Sequence, residues 1–434
     1  MTVNVETLGA LERRLSMSVP VKDVDKQVDA RLKKLAREAR LPGFRPGKVP
    51  LKLLAQQYGP QVRSEVIGDA VQKAFSEAVR EAKLKVAGYP RIETKDVSNE
   101  TSLEFSATFE VYPEVKIGDV AGAKIERPQL AVDDAAVERT LEILRKQRVT
   151  YESAGRAAQD GDRVAVDFEG KIGGEAFAGG KATEFPFVLG EKRMLPEFEA
   201  AASGMQQGEK KIFELTFPDD YHGKDVAGKT ASFDLEMRRV EAPKLPTLDA
   251  EFAKQLGVAD GDLARMRAEV RQNVEREVKK RIEARIKDQV MQTLLAAAPI
   301  ELPKALVQME TQQLVEAAVA DLKAKGLKIE KLPFDPQAFE ASAKRRVALG
   351  LIIGSLSETE KLKPKPAEVR ALIEAESQSY ERPAEVVKWF YMQPQRLSEM
   401  ESLALEQNVV NWVLSKARVE DKKVAFDELM GSGA

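Results

Sequence analysis

Few residues in this chain could act as nucleophiles, general bases or metal ligands. The sequence has 434 residues, no cysteine and a single histidine, His222. The lack of cysteine excludes disulfides, thiol nucleophiles, iron-sulfur clusters and cysteine-based zinc sites. A Ser-His-Asp site would have to be built on His222 alone, and metal motifs that need two histidines cannot form. We therefore expect any enzymatic activity to need neither a nucleophile nor a metal, and we predict no metal site and no cofactor.

Aromatic side chains are concentrated between Arg163 and Val240, where they could line an apolar pocket. The set comprises Phe168, Phe177, Phe185, Phe187, Phe198, Phe213, Phe217, Tyr221 and Phe233. Most of these rings must form a hydrophobic core. Core packing alone does not require an aromatic lining beside Met194, Leu195 and glycine-rich loops. The pattern therefore also predicts a binding pocket.

A basic segment lies between Arg31 and Lys52. It has eight basic residues and one acidic residue, a local net charge of +7 in a chain whose net charge is −2. At its centre, Phe44 stands among three prolines and two glycines in residues 41–50, which disfavour regular structure and predict an exposed ring. A charge run alone is most often a solvated helix face. The exposed aromatic beside Arg45 and Lys48 favours docking on a large anionic partner instead.

The elements around these residues change in character along the chain. Residues 11–19 alternate as a strand, 21–35 have helical spacing, 51–58 and 62–82 are helical in pattern, and 103–111 alternate again. The pattern over residues 1–113 therefore predicts a small α+β domain. A helix over 133–148, capped by Asp133, lies in a linker over 114–150 that is expected to pack with the C-terminal domain.

Two further domains are predicted downstream. Residues 151–243 have short alternating strands and one helix near 196–202, which indicates a mostly antiparallel β domain. Residues 244–434 are helical, with a stripe over 262–296 and further helices near 303–325, 336–360, 366–379 and 394–417. The predicted fold class is multidomain α+β: an N-terminal α+β domain, an antiparallel β domain with a short helix, and an all-α C-terminal domain with long helical arms.

The order of short motifs in the β domain resembles FKBP-type peptidyl-prolyl isomerases. The motifs are Val166-Asp167-Phe168-Glu169-Gly170, Phe177, Phe187-Val188-Leu189-Gly190, Met194-Leu195-Pro196-Glu197-Phe198, Phe217-Pro218-Asp219-Asp220-Tyr221 and Phe233-Asp234-Leu235. With residues 43–48 ahead of them and helices behind, essentially the whole chain resembles the trigger factor family of ribosome-associated chaperones. The β domain is thus expected to be an FKBP-like isomerase domain, and residues 1–113 a ribosome-docking domain.

The resemblance implies two sets of site residues. The prolyl pocket would be lined by Phe168, Phe177, Met194, Leu195, Phe198, Tyr221 and Phe233, with Phe198 as its floor; Phe185, Phe187 and Phe217 are additional candidates. Phe44, Arg45 and Lys48 would bind the ribosome. The sequence departs from the family pattern at Ala178, where such isomerases usually have an acid, and at Pro46, where the docking signature has lysine.

The resemblance also implies partners. These are the ribosome at the exit of the peptide tunnel, nascent and unfolded polypeptides, and a second copy of the chain when it is off the ribosome. Nothing resembles a nucleotide-binding P-loop, so ATP-independent action is expected. Residues 1–20 lack a signal-type apolar stretch and no apolar run approaches 18 residues, so we expect a cytoplasmic protein with no membrane partner.

Four alternatives remain open at this stage. The protein could be a free chaperone-isomerase that does not dock on ribosomes, or an RNA-binding protein that uses the basic segment. The helix predicted from Val21 to Arg40 lacks interleaved aromatics, which argues against base readout. A scaffold with an inert β domain is the third alternative, and an exported chaperone-isomerase is the fourth, disfavoured by the N-terminal sequence.

Overall fold

The computed structural model describes residues 4–38, 50–94, 101–221, 223–326, 335–378, 380 and 382–431. Their strands, in chain order, are β1 (Asn4–Thr7), β2 (Glu12–Pro20), β3 (Val86–Thr94), β4 (Ser102–Val111), β5 (Lys124–Gln129), β6 (Thr150–Ser153), β7 (Arg163–Ile172), β8 (Glu175–Val188), β9 (Lys210–Thr216), β10 (Thr230–Lys244) and β11 (Arg418–Lys423). Their helices are α1 (Val21–Glu38), α2 (Leu51–Glu81), α3 (Asp134–Gln147), α4 (Pro196–Ala202), α5 (Ala250–Gln255), α6 (Leu263–Ala297), α7 (Lys304–Ala324), α8 (Gln337–Thr359), α9 (Pro366–Ser377), α10 (Pro383–Met392), α11 (Pro394–Lys416) and α12 (Phe426–Met430).

The chain divides into two compact units. The first comprises residues 1–127 and 285–420, and the second comprises residues 128–284 and 421–434. None of the helices in the described ranges is long and apolar enough to cross a membrane.

The first unit contains a four-stranded antiparallel sheet in the order β1-β2-β4-β3. Alternation along β2 and β4 places Leu15 and Ala107 opposite each other, and both are fully buried. The rings of Phe75 and Phe109 meet edge to face at 5.3 Å and join helix α2 to this sheet. Strand β3 was not predicted, because its sequence is interrupted by Gly88 and Pro90.

Helix α2 is longer than its sequence pattern suggests. The two helical stretches expected on either side of Pro60 form one 31-residue helix with Pro60 inside it. Proline normally disrupts a helix interior because it lacks an N–H group and its ring crowds the preceding turn. Here Leu54 and Val62, on opposite sides of Pro60, are both buried. Burial of side chains before and after Pro60 thus outweighs the tendency of proline to end the helix.

The N-terminal sheet packs on helix α7 within the same unit. Gly88, with φ +83°, lies so close to α7 that an added Cβ would come within 2.5 Å of the Ala305 Cβ. The Glu110 carboxylate accepts a hydrogen bond from the Ala305 N–H at 2.8 Å, which satisfies one of the unpaired donors at the start of α7. Further along, α9, α10 and α11 share a core that includes Ile373, Phe390 and Ala404.

The second unit contains the five-stranded β domain. Its strands follow the order β6-β10-β7-β8, with β9 also paired to β10, and every described pairing is antiparallel. Helix α4 begins and ends at the residues predicted from the sequence. Val164, Val166, Leu235 and Met237 of the central strands are fully buried.

The helices of the second unit form a separate core. Asp133 caps α3 as predicted, and its carboxylate accepts a hydrogen bond from the Ala136 N–H at 2.9 Å. Leu141 of α3 packs with Val270 and Val274 of α6. The predicted fold class is confirmed: an α+β N-terminal region, an antiparallel β domain with one short helix, and a helical C-terminal region.

The C-terminal region contains one short strand that the sequence did not predict. This strand, β11, pairs with β5. The Arg418 N–H donates to the Ala123 carbonyl at 2.9 Å, and the Val424 N–H donates to the Gln129 carbonyl at 3.2 Å. Strand β11 is short and mostly charged, so its sequence carries no alternation that could have revealed it.

Candidate functional site

Aromatic rings of the β domain form a continuous cluster around Phe198. The Phe198 ring lies 5.3 Å from Phe168, 5.9 Å from Phe187, 5.6 Å from Phe213 and 5.8 Å from Phe233, all in edge-to-face geometry. This geometry brings positive ring edges to negative ring faces and is favourable for aromatic pairs. Phe198 is only 2% exposed, so it forms the base of the cluster.

The strands place small residues where the rings need room. Gly170 of β7 lies directly opposite Phe233 of β10. A Cβ atom on Gly170 would come within 2.6 Å of the Phe233 ring and 2.9 Å of the Phe177 ring. The absence of a side chain at residue 170 is therefore what allows these two rings to pack there.

Helix α4 holds the opposite side of the cluster. Pro196 occupies its first turn, where a missing N–H does no harm. The Glu199 carboxylate accepts hydrogen bonds from the Gly190 N–H at 3.1 Å and from the Met194 N–H at 3.3 Å. These bonds fix the loop that leads into the helix, and with it the positions of Met194 and Leu195.

The cluster opens into a cavity of about 520 Å³. All seven residues predicted for the prolyl pocket line this cavity: Phe168, Phe177, Met194, Leu195, Phe198, Tyr221 and Phe233. Of the three additional candidates, Phe217 lines it too. Phe185 packs on Phe168 at 5.9 Å, and Phe187 is buried against Phe198.

Sequence reasoning missed several residues of the cavity wall. These are Gly179, Lys192, Arg193, Leu215, Gly223 and Val226. The two cations directly precede Met194 and Leu195 in the sequence, which was the available signal for them. The described residues that line the cavity include no carboxylate. His222 and the side chain of Ala178 lie outside the described residues.

An aspartate next to the cluster anchors two irregular strands. The Asp167 carboxylate accepts a hydrogen bond from the Glu184 N–H at 2.6 Å and another from Arg238 Nε at 2.8 Å. Glu184 has φ +48°, and Arg238 is the extra residue where the pairing of β10 with β7 shifts register. Asp167 thereby holds both irregularities beside Phe168. The Arg238 guanidinium, and then the Glu184 N–H, lower the pKa of the Asp167 carboxyl below its ordinary value of 3.8.

This pKa shift predicts acid sensitivity of the β domain. Because the folded state favours ionised Asp167, its contribution to stability is present above about pH 4 and is lost as the pH falls through the lowered pKa. We expect Asp167→Asn to reduce the free energy of unfolding by about 1 kcal/mol at pH 7, and the difference from the wild type to shrink below pH 4. Urea unfolding at several pH values measures this. Asp234→Asn, at an exposed aspartate of β10, is the matched control, and a difference that stays constant down to pH 2 would contradict the assignment.

The described structure covers only part of the basic segment. Phe44, Arg45 and Lys48 lie outside the described residues. On α1, the side chains of Lys33, Lys34 and Arg37 are exposed, whereas Arg31 pairs with acidic residues of α2. Its guanidinium lies 2.7 Å from the Asp69 carboxylate and 3.7 Å from that of Glu65. These two acidic residues therefore offset part of the +7 charge that was counted from the sequence of this segment.

The cavity can bind an apolar ring but offers little for acid-base chemistry. Rings, Met194 and Leu195 form much of its wall, so the side of a guest that contacts them would lose contact with water. In the part of the chain that the structure describes, no group of three or more histidine, cysteine, aspartate or glutamate residues could hold a metal ion. Catalysis here would have to act through apolar surroundings and shape.

Comparisons with known proteins give a consistent picture. Residues 1–144 match the family described as bacterial trigger factor protein, residues 262–415 match the C-terminus of that family, and residues 154–238 match FKBP-type peptidyl-prolyl cis-trans isomerases. The trigger factor of Aromatoleum aromaticum is 55% identical over 434 residues, covering 100% of both chains. That of Azoarcus sp. is 54% identical over 424 residues, covering 98% of this chain and 97% of its own. That of Dechloromonas aromatica is 53% identical over 431 residues, covering 99% of each.

Proposed function

This chain belongs to the trigger factor family, and we propose that it isomerises X-Pro bonds in the aromatic cavity above Phe198. It is a chaperone with an FKBP-type peptidyl-prolyl isomerase domain. The observation that carries the proposal is that seven residues, contributed by β7, β8, β10, α4 and two loops, line one apolar cavity. A proline ring is apolar, and most of the side chains that line this cavity are apolar too.

The proposed mechanism follows from the electronic structure of the amide. Rotation about an X-Pro bond has a barrier of roughly 18 to 20 kcal/mol because the planar amide loses its resonance. The twisted amide is less polar than the planar one, so surroundings without water favour it. Phe198 would support the proline ring from below while Phe168, Phe177 and Phe233 surround it. This route needs neither a nucleophile nor a general base.

The test is the rate at which a proline-containing peptide relaxes from cis to trans. Spontaneous isomerisation takes tens of seconds or longer, so acceleration by the protein is easily measured. A cavity variant that folds but retains full activity would show that the reaction takes place elsewhere on the chain.

We infer that the chain docks on the ribosome through Phe44, Arg45 and Lys48. Family membership supports ribosome binding, and this segment combines an aromatic residue with cations in a sequence that disfavours regular structure. The exposed Lys33, Lys34 and Arg37 would add a positive field from the adjoining helix. We also propose that the protein works in the cytoplasm, where it would meet ribosomes, and that docking needs no nucleotide.

The docking proposal predicts a large, salt-dependent binding defect. We expect the Phe44→Ala, Arg45→Ala double variant to lose about tenfold or more in ribosome affinity, because aromatic and arginine residues dominate interface hot spots. Wild-type binding should also weaken as salt increases. Co-sedimentation with ribosomes at two salt concentrations measures both effects. Arg63→Ala, which removes a cation that pairs with Asp25 on α1, is the matched control.

The outcomes of this co-sedimentation distinguish the remaining alternatives. If the wild type and the Phe44→Ala, Arg45→Ala variant pellet equally with ribosomes, the contact lies elsewhere on the chain. If neither pellets, a free chaperone-isomerase is the better interpretation. Binding to free RNA as strong as binding to whole ribosomes would favour an RNA-binding protein.

We further propose that apolar surface on α10 contributes to holding unfolded polypeptides. Met392 is 80% exposed, and Trp389 and Tyr391 on the same helix are also exposed. A neighbouring groove of about 490 Å³ has Tyr391 and Leu397 in its wall. Exposed methionine and aromatic side chains can contact many apolar sequences because they present large apolar areas and need few hydrogen-bond partners.

A further inference from the structure

Strand β8 contains an insertion opposite Asp167 of β7. Phe168 pairs with Ala182, whereas Val166 pairs with Phe185, so two residues of β8 stand opposite Asp167 alone. This arrangement is a β-bulge. Alternate residues of a regular strand face opposite sides of the sheet, so Ala182 and Phe185, three residues apart, share a side only because of the bulge. The bulge thus brings the Phe185 ring to within 5.9 Å of the Phe168 ring, which lines the cavity.

Strand β10 contains a second insertion close to Asp167. Glu236 of β10 lies directly opposite Asp167, and Arg238 is the extra residue that follows shortly after it. Two carboxylates that lie directly opposite each other weaken the pairing of their strands. The Arg238 guanidinium bridges them, at 2.7 Å from the Asp167 carboxylate and 2.8 Å from that of Glu236. The second bulge therefore supplies the cation that allows these two acids to face each other.

A single carboxylate holds both bulges. One oxygen of Asp167 accepts a hydrogen bond from the Glu184 N–H at 2.6 Å, and the other accepts one from Arg238 Nε at 2.8 Å. Hydrogen bonds that involve a charged group are roughly twice as strong as neutral ones. Loss of the carboxylate would release both insertions at once. Bulges beside active sites set the direction of nearby side chains, so their release would be felt at the neighbouring rings.

We propose that Asp167 is a positioning residue of the isomerase, with Arg238 as its partner. The inference rests on the proposed location of the prolyl site. Asp167 does not line the cavity, and its side chain leaves β7 on the side opposite to that of Phe168. By holding the bulge at Glu184, it keeps Phe185 against Phe168 and thereby fixes the Phe168 ring in the cavity wall. Displacement of a positioning group by about 1 Å can lower a rate by about a hundredfold.

The first test is the kinetics of Asp167→Ala on a Leu-Pro peptide. We expect kcat/KM to fall about tenfold and most of the loss to lie in kcat, because a displaced ring weakens contacts with the twisted amide more than initial binding. Asp167→Asn keeps an oxygen that can accept from the Glu184 N–H, so its loss should be smaller, about threefold. All rates are compared at a temperature where urea unfolding shows the variants to be folded.

Glu241→Ala is the matched control. Glu241 of β10 lies directly opposite Arg163 of β7 and accepts a hydrogen bond from its Nε at 2.6 Å. The side chains of Arg163 and Glu241 are 40% and 17% exposed, close to the 44% and 21% of Arg238 and Asp167. This pair joins the same two strands where their register is regular, about 15 Å along β7 from Phe168. We expect Glu241→Ala to lose similar stability but to keep kcat/KM within about twofold.

A double-mutant cycle tests whether Asp167 acts through Phe185. Phe185 does not line the cavity, so Phe185→Ala removes a support of the Phe168 ring and leaves every wall residue in place. We expect this variant to lose about fivefold in kcat/KM. If both residues act on the same ring, the Asp167→Ala, Phe185→Ala variant should be about as active as Asp167→Ala alone. Independent effects would multiply to about fiftyfold and would overturn the inference.

The results separate this inference from the proposed site. If Asp167→Ala were as active as Glu241→Ala while Phe198→Ala had lost its activity, the inference would be overturned and the cavity proposal would stand. Full activity of Phe198→Ala would overturn both. If Asp167→Ala failed to fold, Arg238→Gln would decide, because it removes the bridge between the two acids and leaves Asp167 in place. We expect it to lose about threefold in kcat/KM, and an unchanged value would overturn the inference.

Discussion

Replacing Phe198 with alanine is expected to abolish most isomerase activity while leaving a folded protein. The Phe198 ring is buried and contacts four other rings, so its removal should cost about 3 to 5 kcal/mol of stability. It also removes the floor of the cavity. Loss of only about 1.4 kcal/mol of transition-state stabilisation lowers the rate tenfold, so we expect kcat/KM to fall by more than about tenfold. Peptide relaxation and urea unfolding measure the two effects.

A control variant with a similar loss of stability distinguishes a loss of catalysis from a loss of the folded state. Met237 is fully buried in the same core and does not line the cavity, so Met237→Ala should destabilise by about 2 to 5 kcal/mol. We expect this variant to keep near-normal activity at temperatures where it is folded. Equal loss of activity in both variants would mean that the assay reports stability, and that the cavity floor has no special part in the reaction.

The sequence predicted the elements whose signals are local. Helix α4 begins at a proline, and helix α3 begins after an aspartate cap, so both starts were specified by single residues. Strands β2 and β4 alternate regularly and were found for that reason. In each case the information lies within a few residues of the element itself.

Elements defined by distant partners could not be predicted in this way. Strands β5 and β11 are separated by almost 300 residues, and each exists only because it pairs with the other. Helix α2 continues through Pro60 because packing on both sides of the proline outweighs the local preference. Arg31 counted toward a basic patch in the sequence, yet residues of α2 partly neutralise it.

The residues of the site also divide into those with a local sequence signal and those that depend on distant partners. Residue types indicated an aromatic pocket, but the selection of seven particular residues came from family resemblance, since spacing cannot bring β7, α4 and β10 together. Lys192 and Arg193 directly precede Met194 and Leu195 in the sequence, but their position at the cavity also depends on a left-handed residue and on two hydrogen bonds to Glu199, which sequence reasoning did not identify.

Gly170→Ala is expected to damage the site by adding a single methyl group. The new Cβ would lie within 2.6 Å of the Phe233 ring and 2.9 Å of the Phe177 ring, closer than carbon atoms can approach. Both rings line the cavity, and Phe233 also packs against Phe213, Phe217 and Phe198, so it has little room to withdraw. We expect a loss of about 1 to 3 kcal/mol in stability from overpacking, and a fall of about tenfold or more in kcat/KM.

Gly155→Ala provides the matched control for this prediction. It makes the same chemical change in the same unit, but no atom lies within 4 Å of the position of its Cβ. Its stability should stay within about 0.5 kcal/mol of the wild type and its activity should be unchanged. Both variants add one methyl group, and only at residue 170 does that group meet other side chains, so a defect confined to Gly170→Ala would show that the precise positions of Phe177 and Phe233 are needed for catalysis. If Gly170→Ala were as active as Gly155→Ala, isomerisation would tolerate displaced rings, and the shape of this cavity could not be the source of the rate enhancement.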